Sequence, residues 1–332
     1  YFWNFRRILM TRQINFRFVD FGTSVRNADE PLTGNDVRLE PGEVYLDVGN
    51  SSSERILDHH HDPDHYDSAA RLATERFEDF ISAPLATWNE PVTLITHLNP
   101  DLDGCAAMFF VHEKLIGNLL DPAAWRRVVD MVSENDQGYL VPPVEHSFPI
   151  IFRALAWTWH EMHKERPEEF VRTIAFPLIR ECHDVEADPG SNQSLWDRMK
   201  TQPKYRTTRM LLERAAADYK EDCRHGQKIQ LFLPRQKWTP PAPGHAPDSL
   251  ISSTQSFTTP ERNVRDWSRI DGIIMQDPVS LLFKELARTD RVNSQQQQGF
   301  QLMLVHKKTG GGGQHIVSTD PMAGVSLKGL GA

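Results

Sequence analysis

Two short segments of the chain concentrate side chains that bind divalent metal ions. They are ILDHHHDPDHYD (56–67) and THLNPDLDG (96–104), and both combine aspartate with histidine and contain no cysteine. Oxygen and nitrogen ligands without a thiolate suit Mn²⁺, Mg²⁺, Fe²⁺ or Zn²⁺. With two aspartates from LDVGN and ENDQGY, the candidate residues are Asp47, Asp58, His59, His60, His97, Asp101, Asp103 and Asp136. Two ions that share a carboxylate can lower the pKa of a bridging water and clamp a phosphoryl group.

The spacing inside the second segment supports this chemistry. His97 precedes Asp101 by four residues, and Asp103 follows two residues later. All three lie at a predicted turn from a strand into a helix, where the histidine and the first aspartate can face one ion and the second aspartate another. The helix that begins near Gly104 would direct the positive end of its dipole toward a bound anion.

Other interpretations of these segments are weaker. NPDLDG begins like a calcium loop, but Phe110 stands at the twelfth position, where such a loop requires glutamate. DHH followed by cysteine is typical of membrane acyltransferases, whereas His61 follows here and no span is predicted. A histidine run is often an exposed turn, and Asp47 or Asp136 alone is more typical of a turn or a helix cap. The metal prediction therefore depends on three predicted strands that all end in ligand-type residues.

The elements around these segments predict an α/β fold. Strands are predicted for 43–49, 55–60 and 92–97, and helices for 67–82, 104–120 and 123–135. Alternating strands and helices indicate a mostly parallel sheet covered on both faces. In such a sheet, functional groups gather at the carboxyl ends of the strands, where all three motifs fall.

The remainder of the chain predicts two further parts. Helical patterns fill 148–226, and the strands 227–234, 271–276 and 299–306 follow, with a helix at 279–289. We therefore expect a catalytic core at 10–147, a helical middle region at 148–226 and a smaller C-terminal α/β domain at 227–332. We also expect either a natural start at Met10 or a fragment, and a truncated C-terminal domain. The sequence leaves open whether the middle helices form a lid, a homodimer interface or a partner-binding domain.

Composition excludes several classes of protein. The 332 residues include 37 basic and 45 acidic side chains, a net charge of −8, which disfavours a protein that holds duplex DNA through a broad basic face. A small phosphorylated ligand is not excluded, because bound metal ions reverse the local field. The three cysteines are far apart and form no CxxC pair, so a reducing, cytoplasmic location is expected. No apolar run approaches the ~20 residues that span a bilayer.

LDVGN, ILDHHH and THLNPDLDG together resemble the signature motifs of the DHH phosphoesterase family, whose members include RecJ-like exonucleases and oligoribonuclease-like enzymes. TGGGGQHIVST (309–319) is similar to the glycine-rich GGGH element of the domain that follows the DHH core in that family. The motif order is permuted, because the HxxxDxD element follows DHH by about 36 residues instead of preceding it. A parallel sheet accepts this change, since the site depends on which strand ends are adjacent in space.

The resemblance implies a DHH-type core that binds two divalent ions, Mn²⁺ in the first place and Mg²⁺ as the alternative. It implies that His97 and Asp101 bind the first ion and that Asp47 bridges both. The second ion would be completed by Asp103, His59 and Asp136.

The resemblance also implies residues that act on the substrate. The catalytic pair would be His60, facing the substrate phosphate, and Asp58, orienting a ligand histidine. The substrate-binding set would be Gly311, Gly312, Gly313 and His315.

The expected activity is that of a metal-dependent phosphoesterase that hydrolyses a nucleotide or a short single-stranded oligonucleotide. Trp157, Trp159, Trp196 and Trp238 could offer stacking surfaces, although WTW on a helix is more typical of core packing. An inorganic pyrophosphatase or polyphosphatase ranks lower, because no dense basic run lies near the motifs. A non-catalytic nucleotide-binding regulatory protein is the third interpretation.

Overall fold

The computed structural model describes residues 13–27, 30–34, 36–61, 68–136, 143–163, 166–191, 193–234, 267–309 and 312–319. These residues belong to two compact units. The first unit draws on Tyr1–Asp136 and Leu155–Leu195, and the second on Gln137–Ala154, Trp196–Pro240 and Ser252–Ala332. The helices that the sequence predicts for the middle region are thus distributed over both units.

A five-stranded sheet forms the centre of the first unit. The described strands of this unit are β1 (Ile14–Val19), β2 (Val25–Arg26), β3 (Val37–Arg38), β4 (Glu43–Leu46), β5 (Ser52–Ser53), β6 (Ile56–Leu57) and β7 (Val92–His97). Of these, β2 and β3 pair with each other, and the other five form the sheet. The spatial order is β1-β7-β4-β6-β5, and every neighbouring pair is parallel except β5 with β6. The predicted α/β class with a mostly parallel sheet is confirmed.

The central strands are buried apolar runs, as a sheet covered on both faces requires. All four residues of β4 are buried, and β7 aligns Leu94 with Val44 and Ile95 with Tyr45. Tyr45, Ile95 and Ile56 form one buried cluster with apolar residues that lie in β2 and β3 or next to these strands. The sequence-based strand at 55–60 is shorter in the structure, because a 3₁₀ turn at His59–His61 follows β6.

Helices cover the sheet and give the first unit its apolar core. The α-helices of the described residues, in both units, are α1 (Ala69–Arg76), α2 (Leu102–Leu115), α3 (Pro122–Asp136), α4 (Phe148–Met162), α5 (Pro167–Phe170), α6 (Phe176–Ala187), α7 (Leu195–Thr201), α8 (Arg206–His225) and α9 (Phe283–Thr289). A π-helical turn at Phe77–Ser82 continues α1, so the predicted helix at 67–82 is two helical types in succession. Helices α1, α2 and α3 pack on one another, and Phe110 stacks on Trp125 between two of them.

The second unit contains a mixed four-stranded sheet. Its strands are β8 (Gln227–Pro234), β9 (Trp267–Gln276), β10 (Leu302–Thr309) and β11 (Gly312–Thr319), in the order β11-β10-β9-β8. Only β9 and β10 run parallel. Helices α8 and α9 pack together, and Tyr219, Phe283 and Phe300 contribute to the core.

The cysteines and the apolar character of the helices both bear on what the sequence predicts. Cys105, Cys182 and Cys223 are buried free thiols. Within the described ranges, no helix combines the length and the apolar character that crossing a bilayer would need.

The buried centre of the sheet should contribute strongly to the free energy of unfolding. Leu94→Ala, in the fully buried middle of β7, should lower the free energy of unfolding by about 2–5 kcal/mol, because it removes apolar contacts and leaves a cavity. The matched control is Leu119→Ala, whose side chain is 79% exposed and whose loss should cost no more than about 0.5 kcal/mol. Urea unfolding followed by circular dichroism measures both, and equal effects would contradict the assignment of β7 to the core.

Candidate metal centre

Asp47 occupies the central position of the candidate site, directly after β4. Its φ is 60°, a left-handed conformation that aspartate adopts more readily than most non-glycine residues. Its backbone N–H donates to the Leu57 carbonyl oxygen at 2.9 Å, which fixes the turn beside β6. Gly104 leaves room for the side chain, because a Cβ atom there would lie 2.8 Å from Thr96 Oγ1 and 3.3 Å from Asp47 Oδ2.

The neighbouring strands and helices supply the other ligands. His59 lies on the 3₁₀ turn after β6, and His97 is the last residue of β7. Asp101 is the N-cap of α2, where its Oδ1 accepts a hydrogen bond from Gly104 N at 3.0 Å. Asp103 lies in the first turn of α2, and Asp136 is the last residue of α3. All of these elements belong to the first unit.

The structure brings the eight predicted residues into three overlapping groups. The groups are Asp47, Asp58, His59 and His60; Asp47, His97 and Asp101; and His59, Asp103 and Asp136. Within each group, one ligand atom from every residue lies within 4.8 Å of the others. Such groups could hold a metal ion.

Asp47 connects the two sides of the centre. Its Oδ2 lies 3.4 Å from His97 Nε2, and its Oδ1 lies 3.5 Å from His59 Nδ1. On the first side, His97 Nε2 is 3.9 Å from Asp101 Oδ1. On the second side, the two ring nitrogens of His59 lie near different aspartates, Nδ1 at 3.5 Å from Asp103 Oδ2 and Nε2 at 3.2 Å from Asp136 Oδ2. The single carboxylate thus faces two separate sets of ligands.

The donor set fits a cation. Asp47 Oδ1, His59 Nδ1 and His97 Nε2 are buried and have no hydrogen-bond partner. Leaving a buried polar atom unpaired costs about 1–3 kcal/mol, so three such atoms beside one another indicate a ligand that satisfies them together. A divalent ion with oxygen and nitrogen ligands meets this requirement.

The charges of the centre also favour a cation. Burial raises the pKa of Asp47 well above its ordinary value, and the negative charges of Asp101, Asp103 and Asp136 raise it further. Burial is likewise the largest cause that raises the pKa of Asp103 to about 7. Burial alone would lower the pKa of His59, but its hydrogen bond with Asp136 and the surrounding carboxylates raise it to about 9. Burial lowers the pKa of His97, which favours the neutral imidazole that binds metals.

Asp58 and His60 are arranged differently from the other residues. Asp58 Oδ1 accepts a hydrogen bond from His60 N at 3.0 Å and lies 2.9 Å from His60 Nδ1, and its Oδ2 accepts one from Asn50 N at 2.8 Å. Although burial raises the pKa of Asp58, these hydrogen bonds lower it below its ordinary value. Asp58 is therefore satisfied by the protein itself, and it orients the exposed His60 ring.

Asp103 has a structural role that the sequence did not reveal. Its Oδ2 accepts a hydrogen bond from Ala69 N at 2.6 Å, and its Oδ1 accepts one from Ala70 N at 2.9 Å. The carboxylate thus binds the N-terminus of α1 from a different helix. Its Oδ2 also lies 3.5 Å from His59 Nδ1.

Phe21 is a neighbour of the centre that the sequence analysis missed. Its ring centroid lies 5.6 Å from that of His97 and 6.0 Å from that of His60. The residue follows β1, a strand whose alternating pattern INFRFV was not recognised as part of the sheet. A strand prediction there would have placed Phe21 at the same carboxyl edge as the metal motifs, because β1 runs parallel to β7.

The predicted substrate-binding element lies in the second unit. Gly312, Gly313 and His315 are part of β11, and His315 faces His306 of β10 with their Nδ1 atoms 3.3 Å apart. Two predicted positions, Gly311 and Trp238, lie outside the described residues, as do residues 62–67 of the first histidine and aspartate segment. Core packing is expected for the WTW pair, but Trp157 is exposed and Trp159 is half-buried, whereas Trp196 is buried.

Comparison of the chain with protein-family models, with curated proteins and with solved structures finds no significant match. The likeness to DHH phosphoesterases therefore depends on the motifs alone.

The protonation of the centre predicts that metal affinity increases with pH. Asp103 and His59, with pKa values of about 7 and about 9, must release their protons before they bind a metal. The apparent association constant for Mn²⁺ should rise most steeply below about pH 7, more gently up to about pH 9, and then level off. Anaerobic titration calorimetry in buffers of different ionisation enthalpy measures both the affinity and the protons released.

The variant that tests this prediction is Asp103→Asn, which cannot titrate. Because its amide can accept only one of the two hydrogen bonds from Ala69 N and Ala70 N, circular dichroism must show that the variant is folded. It should remove the contribution of Asp103 to the steep part of the profile and bind Mn²⁺ more weakly. An affinity for Mn²⁺ that does not change with pH in the unsubstituted protein would contradict the assignment of these residues as ligands.

Proposed function

We propose that the chain is a metal-dependent phosphoesterase that acts on a nucleotide or a short single-stranded oligonucleotide. The observation that carries the proposal is the buried Asp47 carboxylate, whose two oxygens face His97 on one side and His59 on the other. A carboxylate between two ligand sets is what a pair of divalent ions requires. We further propose Mn²⁺ or Mg²⁺ as those ions, because the resemblance to DHH phosphoesterases implies them and five of the eight candidate residues are carboxylates, which both ions accept.

The arrangement of buried and exposed residues suits catalysis on a substrate from solution. When bound, the ions supply a water of lowered pKa and positive charge that stabilises phosphoryl oxygens. Asp47, His97 and Asp103 form the buried floor, whereas Asp101 and His60 are exposed. His60, held by Asp58, can donate a hydrogen bond to a phosphate oxygen as negative charge increases there.

The charge around the centre favours an organic phosphoester over an inorganic polyphosphate. Pyrophosphate and polyphosphate need several lysine or arginine side chains to neutralise their further phosphates. Within the described ranges, the ion pairs of the five aspartates at the centre are made with histidine.

The same DHH-type centre without turnover would make the chain a nucleotide-binding regulatory protein. The activity measurement below distinguishes this alternative from the enzyme. The three free cysteines accord with the cytoplasm as its location.

Asp47→Asn provides the direct test, because it removes the charge and preserves the shape of the shared ligand. Mn²⁺-dependent release of nitrophenol from bis-p-nitrophenyl phosphate should fall on the order of 10²–10³-fold, since a metal centre contributes several kcal/mol to the transition state. Asp79→Asn, at an exposed aspartate of the same unit, should retain full activity. If the unsubstituted chain binds Mn²⁺ but shows no Mn²⁺-stimulated hydrolysis, the enzyme proposal is wrong and the regulatory alternative is supported.

Asp58→Asn tests the orientation of His60. The kcat should fall about 10–100-fold, because partners behind a functional side chain contribute on that scale. Mn²⁺ affinity should change far less, since the Asp58 oxygens are occupied by hydrogen bonds from His60 and Asn50. Glu54→Gln, an exposed acid four residues away, serves as the control. A loss of Mn²⁺ binding as large as that of Asp47→Asn would show that Asp58 is itself a ligand.

A further inference from the structure

Phe21 is an exposed aromatic side chain at the edge of the metal centre. It is 73% exposed, and its ring lies beside His60, which would face the substrate phosphate, and beside His97, a candidate metal ligand. An exposed apolar residue is ordinary on a protein surface, but an aromatic ring that contacts two histidines of a polar site is placed to meet an apolar part of a ligand.

The backbone holds Phe21 in a defined position. It lies in a turn that Thr23 closes by donating to the Asp20 carbonyl oxygen, from its N–H at 3.1 Å and from its hydroxyl at 2.7 Å. Gly22 supplies the positive φ of 83° that this turn needs. Leu98 N donates to the Val19 carbonyl oxygen at 2.8 Å, which joins this turn to the loop after β7. A surface held in this way loses little entropy when a ligand binds.

The orientation of the Phe21 ring leaves it available for stacking. The imidazoles of His60 and His97 stand nearly perpendicular to it, at 88° and 81°. Neither imidazole therefore stacks parallel on the phenyl face, and the high exposure of the residue shows that most of its surface meets solvent. A planar aromatic group can stack on such a face, as nucleobases do on phenylalanine in single-strand binding proteins.

We propose that Phe21 is the specificity-determining residue that binds the nucleobase of a nucleoside phosphoester. The inference depends on the proposed function and names the part of the substrate that the metal centre does not contact. Because the Phe21 ring is apolar and lies beside His60 and His97, it favours an ester whose retained group, the one that does not leave, carries an aromatic base. Inorganic pyrophosphate and polyphosphate have no group that it could bind.

Two diesters that share one leaving group test this proposal on the full chain with Mn²⁺. They are thymidine 5′-p-nitrophenyl phosphate and methyl p-nitrophenyl phosphate, which differ in the presence of the nucleoside. Phe21→Ala should lower kcat/KM for the thymidine ester about 5- to 150-fold, the range of base stacking on an aromatic side chain, and leave the methyl ester unchanged. Phe21→Tyr should keep the preference for the thymidine ester, and Leu119→Ala, an exposed leucine of the same unit, should change neither substrate.

A binding measurement separates this proposal from the proposed activity. Calorimetry should show that Phe21→Ala weakens thymidine 5′-monophosphate on the Mn²⁺-loaded protein by the same factor and leaves orthophosphate unaffected. If neither diester is hydrolysed, the proposed activity fails, and this nucleotide titration alone decides on Phe21. Equal losses on both esters would show that Phe21 acts through the histidines, and no loss on either would show that it contacts no base. Both results, like a failure of the nucleotide to bind, overturn the proposal.

Discussion

The crowding of carboxylates around Asp47 is the constraint on which the first unit depends. Burial and the nearby Asp101 and Asp103 raise the pKa of Asp47, so a metal-free centre must either retain protons or confine several negative charges where water is scarce. Both states are unfavourable. The proposed cation would neutralise the charge and satisfy the unpaired nitrogens of His59 and His97 in the same place.

The strand order explains why Asp47 can serve both sides. β4 lies between β7 and β6 in the sheet, although β6 precedes β7 in the chain. The residue after β4 is thus flanked by His97 from one neighbour and by His59 from the other. Because only the adjacency of the strand ends matters, a motif order that is permuted relative to the DHH family can still assemble a shared centre.

The eight candidate residues that the sequence predicts do come together in the structure, because they follow apolar runs that end in polar residues. The sequence predicted less well wherever tertiary contacts decide. β1 was missed, since INFRFV places Arg17 and Asn15 on an edge strand that does not read as a buried run. The strand at 55–60 ends at Leu57, because the histidines turn toward the sheet edge in a 3₁₀ turn. The second role of Asp103 could not be predicted, because the backbone N–H groups it binds lie more than thirty residues away.

Two helix N-termini meet at the centre, and its aspartates bind both of them. Asp101 and Asp103 lie at the N-terminus of α2, where the helix dipole stabilises negative charge, and Asp103 also binds the N-terminus of α1. Asp136 belongs to α3, and its Oδ2 lies 3.2 Å from His59 Nε2. Since Phe110 and Trp125 stack between α2 and α3, the apolar core itself fixes the separation of these ligands.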